Sequence, residues 1–177
     1  MSKQKGFSLI ELLIVVAIIL IIAAIAIPNL VRSRIAANNS AAASTIRTLN
    51  TAEATYSVTY PQAGFSVDLA TLGPGVATGC PAGGPTSTAA CLIDFVIGNT
   101  TGTTGVFNTK DAFEYEISGI GGPPATDYVA FATPLGTNSG TNDYCSTSDA
   151  VVRSKSDSAP PTAAQTTTSA CQAFTAL

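Results

Sequence analysis

Two hydrophobic patterns divide the chain. From Phe7 to Ile27 it reads FSLIELLIVVAIILIIAAIAI, an apolar run whose single charge is Glu11. About 20 apolar residues suffice to span a bilayer as a helix. Past Pro28 the pattern becomes a stripe. Ile35, Ala42, Ile46, Leu49, Tyr56 and Tyr60 recur at spacings of seven, four, three, seven and four, as on one face of a helix. Glu53 falls outside that stripe, and Asn38-Asn39 is a weak spot in it. Pro61 marks the stop. Pro28 removes one backbone donor and crowds the preceding turn, so a kink or a local opening is expected there. A helix from Ser8 to Tyr60 would be about 80 Å long at 1.5 Å per residue. No single small domain covers such a helix, so its apolar half is expected to project into a bilayer or a bundle of like helices. The Ala-rich stretch (Ala36, Ala37, Ala41 to Ala43) reads equally as a close-approach face and as plain helix propensity.

After Pro61 the period changes. PQAGFSVDLATLGPG is a turn-rich connector with Phe65, Leu69 and Leu72 as anchors, and 73–90 is Gly/Pro/Thr-rich loop. Four strands are predicted: Cys91 to Ile97, Phe113 to Ser118, Tyr128 to Thr133 and Ala150 to Arg153. Phe113, Tyr115 and Ile117 share one face against Glu114 and Glu116, and 119–127 is the hairpin loop. A small antiparallel sheet laid on the C-terminal half of the long helix would bury the Ile46/Leu49/Tyr56 stripe. The fold class is therefore α+β. The tail from Lys155 to Leu177 is Ser/Thr/Ala/Pro-rich and needs a tether to be ordered.

Composition narrows the class. Only 11% of residues are charged, against about 25% in ordinary soluble domains. The net charge is −3 and no basic patch exists, so nucleic-acid binding has no electrostatic support. There is no His, which removes the commonest general base and a frequent metal ligand. Any Ser or Cys nucleophile would need a Lys base, and Lys110 and Lys155 sit in polar, loop-like sequence. The GIGGPP stretch has no helix behind it and is no phosphate loop. Asp127, Asp143 and Asp149 read as solvated turn residues rather than a calcium site. No enzyme activity, cofactor or metal is expected. Cys80, Cys91, Cys145 and Cys171 are even in number in a chain with an export-like start, which reads as two disulfides in an oxidising compartment. Three connectivities are open, of which the sequential one (Cys80 with Cys91, Cys145 with Cys171) is the expectation. It pins the tail to the sheet, each link adding about 2–4 kcal/mol.

The first six residues, MSKQKG, are polar and basic. A secretory signal would have an apolar region of about 7–15 residues closed by a small-residue cleavage site. This run is longer and has no such site, so it should stay attached. Glu11 is expensive inside it, by roughly 2.5–3.5 kcal/mol on insertion scales, so on charge logic it either meets a cation or stays protonated or snorkels to the interface. Lys5-Gly6-Phe7-Ser8-Leu9-Ile10-Glu11-Leu12 closely resembles the processing motif of type IV prepilins and the related pseudopilins. The likeness is close over residues 1 to about 35 and general beyond. It implies cleavage after Gly6 by prepilin peptidase, N-methylation of Phe7, and an assembly role for Glu11 beside the new α-amine of its own or a neighbouring chain. It implies a leader over 1–6, a membrane and filament-core helix over 7–29 that is partly melted near Pro28 in the fibre, and a pilin head over 30–177. A cross-linked C-terminal loop also resembles the exposed loop of many pilins.

The resemblance further implies a homopolymer of pilin subunits, built from the bacterial inner membrane by pilus assembly machinery and displayed outside the cell. Lys3 and Lys5 fit a cytoplasmic leader by the positive-inside rule, while Arg32 and Arg34 oppose it. Two other readings stand beside the pilus subunit. One is a pseudopilin of a type II secretion system, and the other a membrane-anchored adhesin or binding module that never polymerises. Asn38-Asn39-Ser40 and Asn99-Thr100-Thr101 match the glycosylation sequon, a pattern common by chance. Electron conduction through aromatics has no support in the helix, which after Phe7 has none until Tyr56.

Overall fold

The computed structural model describes residues 8–75, 79–99, 108–156 and 167–177. Gly6 and Phe7, the expected cleavage and methylation positions, lie outside the described residues. So do Thr100 and Thr101 of the second sequon. Helix α1 runs Leu9–Thr59 with Pro28 inside it. No glycine occurs between Gly6 and Gly64 to weaken the helix. Pro28 does not end α1. It leaves the carbonyl of Ala24 without its usual donor, four residues back.

The chain separates into two units, 1–34 and 35–177. In the first, every Leu, Ile and Val from Leu9 to Val31 is exposed. This part of α1 is long and apolar enough to cross a membrane.

The second unit holds residues 35–59 of α1 against a six-stranded antiparallel meander, in which each strand pairs with the next in sequence. The strands are β1 (Asn108–Lys110), β2 (Phe113–Ile120), β3 (Asp127–Pro134), β4 (Asn142–Thr147), β5 (Arg153–Ser156) and β6 (Thr175–Ala176). Two short helices are α2 (Leu69–Leu72) and α3 (Thr168–Gln172). Alternation sorts the side chains as expected on β2. Phe113, Tyr115 and Ile117 join Tyr128, Ala130, Ala132 and Tyr144 in a core with Ala42, Ile46, Leu49 and Tyr56 of α1. Ile35 and Tyr60 of the stripe are half-buried. The other face is not solvated. Val129, Phe131, Cys145 and Cys171 form a second cluster there, with Ile120 and Phe174 against it. Hence β3 is buried along almost its whole length.

Two strand expectations are corrected. Cys91 to Ile97 is not a strand. The backbone amides at its start and just before it are drawn to the end of α2: Ala90 donates to Thr71 O (2.9 Å), Cys91 to Gly73 O (3.1 Å) and Leu92 to Leu72 O (2.8 Å). Asp94 then folds a turn, accepting from Ile97 N at 3.1 Å. Ala150 to Val152 is irregular, following a turn that the Ala150 amide closes on Thr147 O, with Ala150 at φ 57. The strand begins only at Arg153. The polar runs of β1, β4 and β6 lie outside the four predicted strands.

The tail is tethered as its composition requires. Cys145 and Cys171 are bonded across a 26-residue separation, and Cys80 to Cys91 across 11. Thr167 caps α3 through Ala170 N, and β6 completes the sheet against β5.

Candidate functional site

Ser8 precedes the first helical residue of α1, and Glu11 stands three places on. Glu11 Oε2 accepts the Ser8 amide at 2.9 Å. That is the carboxylate half of a capping box, which satisfies a donor that the helix leaves orphaned. The S-x-x-E spacing announces it in the sequence. Glu11 therefore has a partner within its own chain, and its charge lies where the helix dipole favours an anion.

Around this one carboxylate the surface is wholly apolar. Burying each Leu, Ile or Val is worth roughly 1.5–3 kcal/mol, and contiguous exposed patches beyond a few hundred Å² mark interaction surfaces. Chemically the segment can partition into lipid or pack against other apolar helices. Arg32 and Arg34 follow it, both exposed.

In the second unit the chemistry is that of a clasp. Glu53, outside the stripe in sequence, is completely buried. Its Oε2 accepts the Ser66 amide at 2.9 Å, and its Oε1 accepts the Ser66 hydroxyl. Burial pushes the Glu53 carboxyl up from 4.5 to about 7, and the two Ser66 hydrogen bonds only partly oppose this. The clasp fixes the 61–68 connector, which is also threaded against the β2–β3 hairpin: Phe65 N donates to Ala125 O (3.1 Å) and Ala125 N to Ala63 O (2.8 Å). Gly64 is needed at this crossing. It has φ 76, and a Cβ there would lie 2.2 Å from Ala125 O.

Asparagines on α1 make the other attachments. Asn38 Nδ2 donates to Ser139 O at 2.8 Å. Asn39 donates to Thr141 Oγ1 at 3.0 Å and accepts Thr141 N at 3.2 Å. Asn50 accepts the Tyr128 hydroxyl at 3.0 Å and donates to Ala150 O at 3.2 Å. The apparent weak spot at Asn38-Asn39 is thus the dock for the β3–β4 turn, and the Asn38 sequon nitrogen is engaged. No local sequence signal marks Glu53 or Asn50.

The remaining candidates are dispersed. Asp127 accepts Tyr128 N and Ser148 N, Asp143 the Thr133 hydroxyl, and Asp149 pairs with Arg153 at 2.6 Å. Hydrogen bonding from Arg153 holds the Asp149 carboxyl down at about 2. Lys110 pairs with Asp94 at 2.8 Å, and Lys155 lies over the Phe174 ring. Among the described residues no three His, Cys, Asp or Glu side chains converge as a metal site would require.

With this geometry in view, comparison with known proteins points to the same end of the chain. Residues 1–27 match the family model described as the prokaryotic N-terminal methylation motif. The chain is similar to the type IV wide pilus major component PilA4 of Thermus thermophilus, at 60% identity over 40 residues, covering 23% of this chain and 30% of that protein. It is also similar to the type IV major pilin protein PilA of Myxococcus xanthus, at 46% identity over 54 residues, covering 30% of this chain and 24% of the relative. The matches thus span less than a third of either relative's length. No solved structure matches.

Proposed function

We propose, on the likeness of its N-terminal segment to type IV pilins, that this chain is a structural subunit of a type IV pilus. In this reading prepilin peptidase removes residues 1–6 and methylates Phe7. Residues 7–29 hold the chain in the inner membrane and then pass into the filament core, while 30–177 form the displayed head. The observation that carries it is the exposed apolar surface from Leu9 to Ile27 with one carboxylate at its N-terminal end. A helix apolar all round is at home in lipid or among copies of itself. Leaving the first environment for the second keeps that surface out of water, so extraction does not forfeit its burial.

Glu11 contributes at the moment of docking. Cleavage after Gly6 would create a cation on Phe7, about one helical turn from the carboxylate. An incoming chain can then be registered by its own or its neighbour's amine. Pro28 supplies the place where the helix bends to fit its neighbours. The two disulfides and the Glu53 clasp keep the head folded outside the cell.

N-terminal sequencing with mass analysis of sheared surface filaments and of washed membranes tests the proposal. Chains beginning at methylated Phe7 in the sheared fraction are expected. Mature chains confined to membranes would transfer the assignment to a pseudopilin of a type II secretion system. Chains beginning at Met1 in both fractions would overturn the processing step.

A further inference from the structure

Resting on the pilus-subunit reading, we infer that neighbouring copies are registered by ion pairs between Arg32 and Arg34 of one chain and the Asp111/Glu114 corner of the sheet on others. The inference starts from which charges are already satisfied. Of the described carboxylates, Glu11 caps α1 and Glu53 holds Ser66. Asp68 caps α2 through Thr71, and Asp94 and Asp149 are paired with Lys110 and Arg153. Asp127 binds two backbone amides, Asp143 accepts from Thr133, and Glu116 is likewise engaged. Asp111 and Glu114 are left. They stand three residues apart at the β1–β2 turn. Asp111 and Ala112 take φ 51 and 63, which sets Asp111 at an exposed tip, and Glu114 points away from the core face of Phe113 and Tyr115.

The cations divide in the same way. Lys110, Arg153 and Lys155 have partners among the described residues. Arg32, Arg34 and Arg47 have none there, and all three are exposed on α1. Residues 28–52 contain these three arginines and no acid, whereas ten of the eleven acids lie from Glu53 onward. Each copy therefore carries unmatched positive charge on one segment and unmatched negative charge on another. A neighbouring copy supplies the opposite charge that each segment lacks. At 3.6 residues per turn Arg32 and Arg34 diverge by about 200°, so they address two different neighbours, as a helical polymer provides. Exposed ion pairs add little affinity, but like charges at the same contact are strongly disfavoured, so the arrangement sets register.

Charge-swapped copies test this in a strain whose wild-type chain yields filaments, so that failure here is separable from failure of the pilus reading. One variant carries Arg32→Glu and Arg34→Glu, the other Asp111→Lys and Glu114→Lys. Each alone should give at least about tenfold fewer sheared filaments than wild type while remaining in membranes. Expressed together they should restore filaments containing both, since each now complements the other and not itself. Wild-type yields from either alone, or no rescue by the mixture, would overturn the inference. So would loss of the arginine variant from membranes beside a normal acidic variant, which would assign the arginines to anionic lipid headgroups. If either variant fails to accumulate, Arg34→Lys filaments treated with a zero-length carbodiimide carry the test. Crosslinks between position 34 of one chain and 111 or 114 of another are expected, and their absence among mapped interchain crosslinks would refute the pairing.

Discussion

Neutralising one buried carboxyl should remove a specific pH dependence from the head. Glu53 is fully buried, and burial raises its carboxyl from 4.5 to about 7 despite the bonds from Ser66. A raised folded-state value means that the folded chain holds this proton more tightly than the unfolded chain does. Stability from this group is therefore greatest below pH 4.5, declines as pH rises toward about 7, and is level above that. At 1.36 kcal/mol per pH unit the decline amounts to about 3 kcal/mol. Tyr56 and Tyr128 face the same site and are themselves pushed up by burial, so they stay neutral across this range. Asp68, which like Glu53 acts on Tyr56, and Asp127 and Asp149, which act on Tyr128, are common to both proteins compared. Glu53→Gln keeps the shape and one acceptor for Ser66. Urea unfolding of the detergent-solubilised full chain, followed by near-UV circular dichroism from pH 4.5 to 8, should show Glu53→Gln gaining on wild type by about 3 kcal/mol across the window. Parallel pH profiles for the two proteins, or a wild type that gains on the variant as pH rises, would refute the reasoning.

Gly64→Ala should lower Tm by at least about 4 °C, since φ 76 and the close Ala125 carbonyl oppose any Cβ; an unchanged melting curve would show that the connector does not cross the hairpin as described. Opening the tail link with Cys145→Ser and Cys171→Ser should cost about 2–4 kcal/mol and expose the last strand to protease. A non-reducing peptide map should join Cys80 to Cys91 and Cys145 to Cys171, and a Cys80–Cys145 peptide would contradict that pairing. Glu11→Ala should leave membrane insertion intact and abolish incorporation into filaments, read by immunoblot of sheared and membrane fractions. Wild-type fibres from that variant would confine Glu11 to capping α1.

Local pattern alone determined a good part of this protein. The apolar run, the stripe and Pro61 place the long helix within a residue of its observed ends, Leu9 and Thr59, because helix formation depends on neighbours three and four apart. Alternation located β2 and β3, where one face is plainly apolar. Tertiary structure decided what needed partners far along the chain. Glu53 and Asn50 look like solvent-facing breaks in the stripe until Ser66, Tyr128 and Ala150 reach them, the last at a separation of 100 residues. β4 and β5 are too polar to read as strands; β4 forms where both faces of the sheet are covered, and the half-exposed β5 because its neighbours supply the ladder. CLIDFVI has strand composition, yet the carbonyls ending α2 claim its amides first. A buried polar group is stable only when its hydrogen bonds are met, and where those bonds come from is a property of the folded chain that no window of sequence contains.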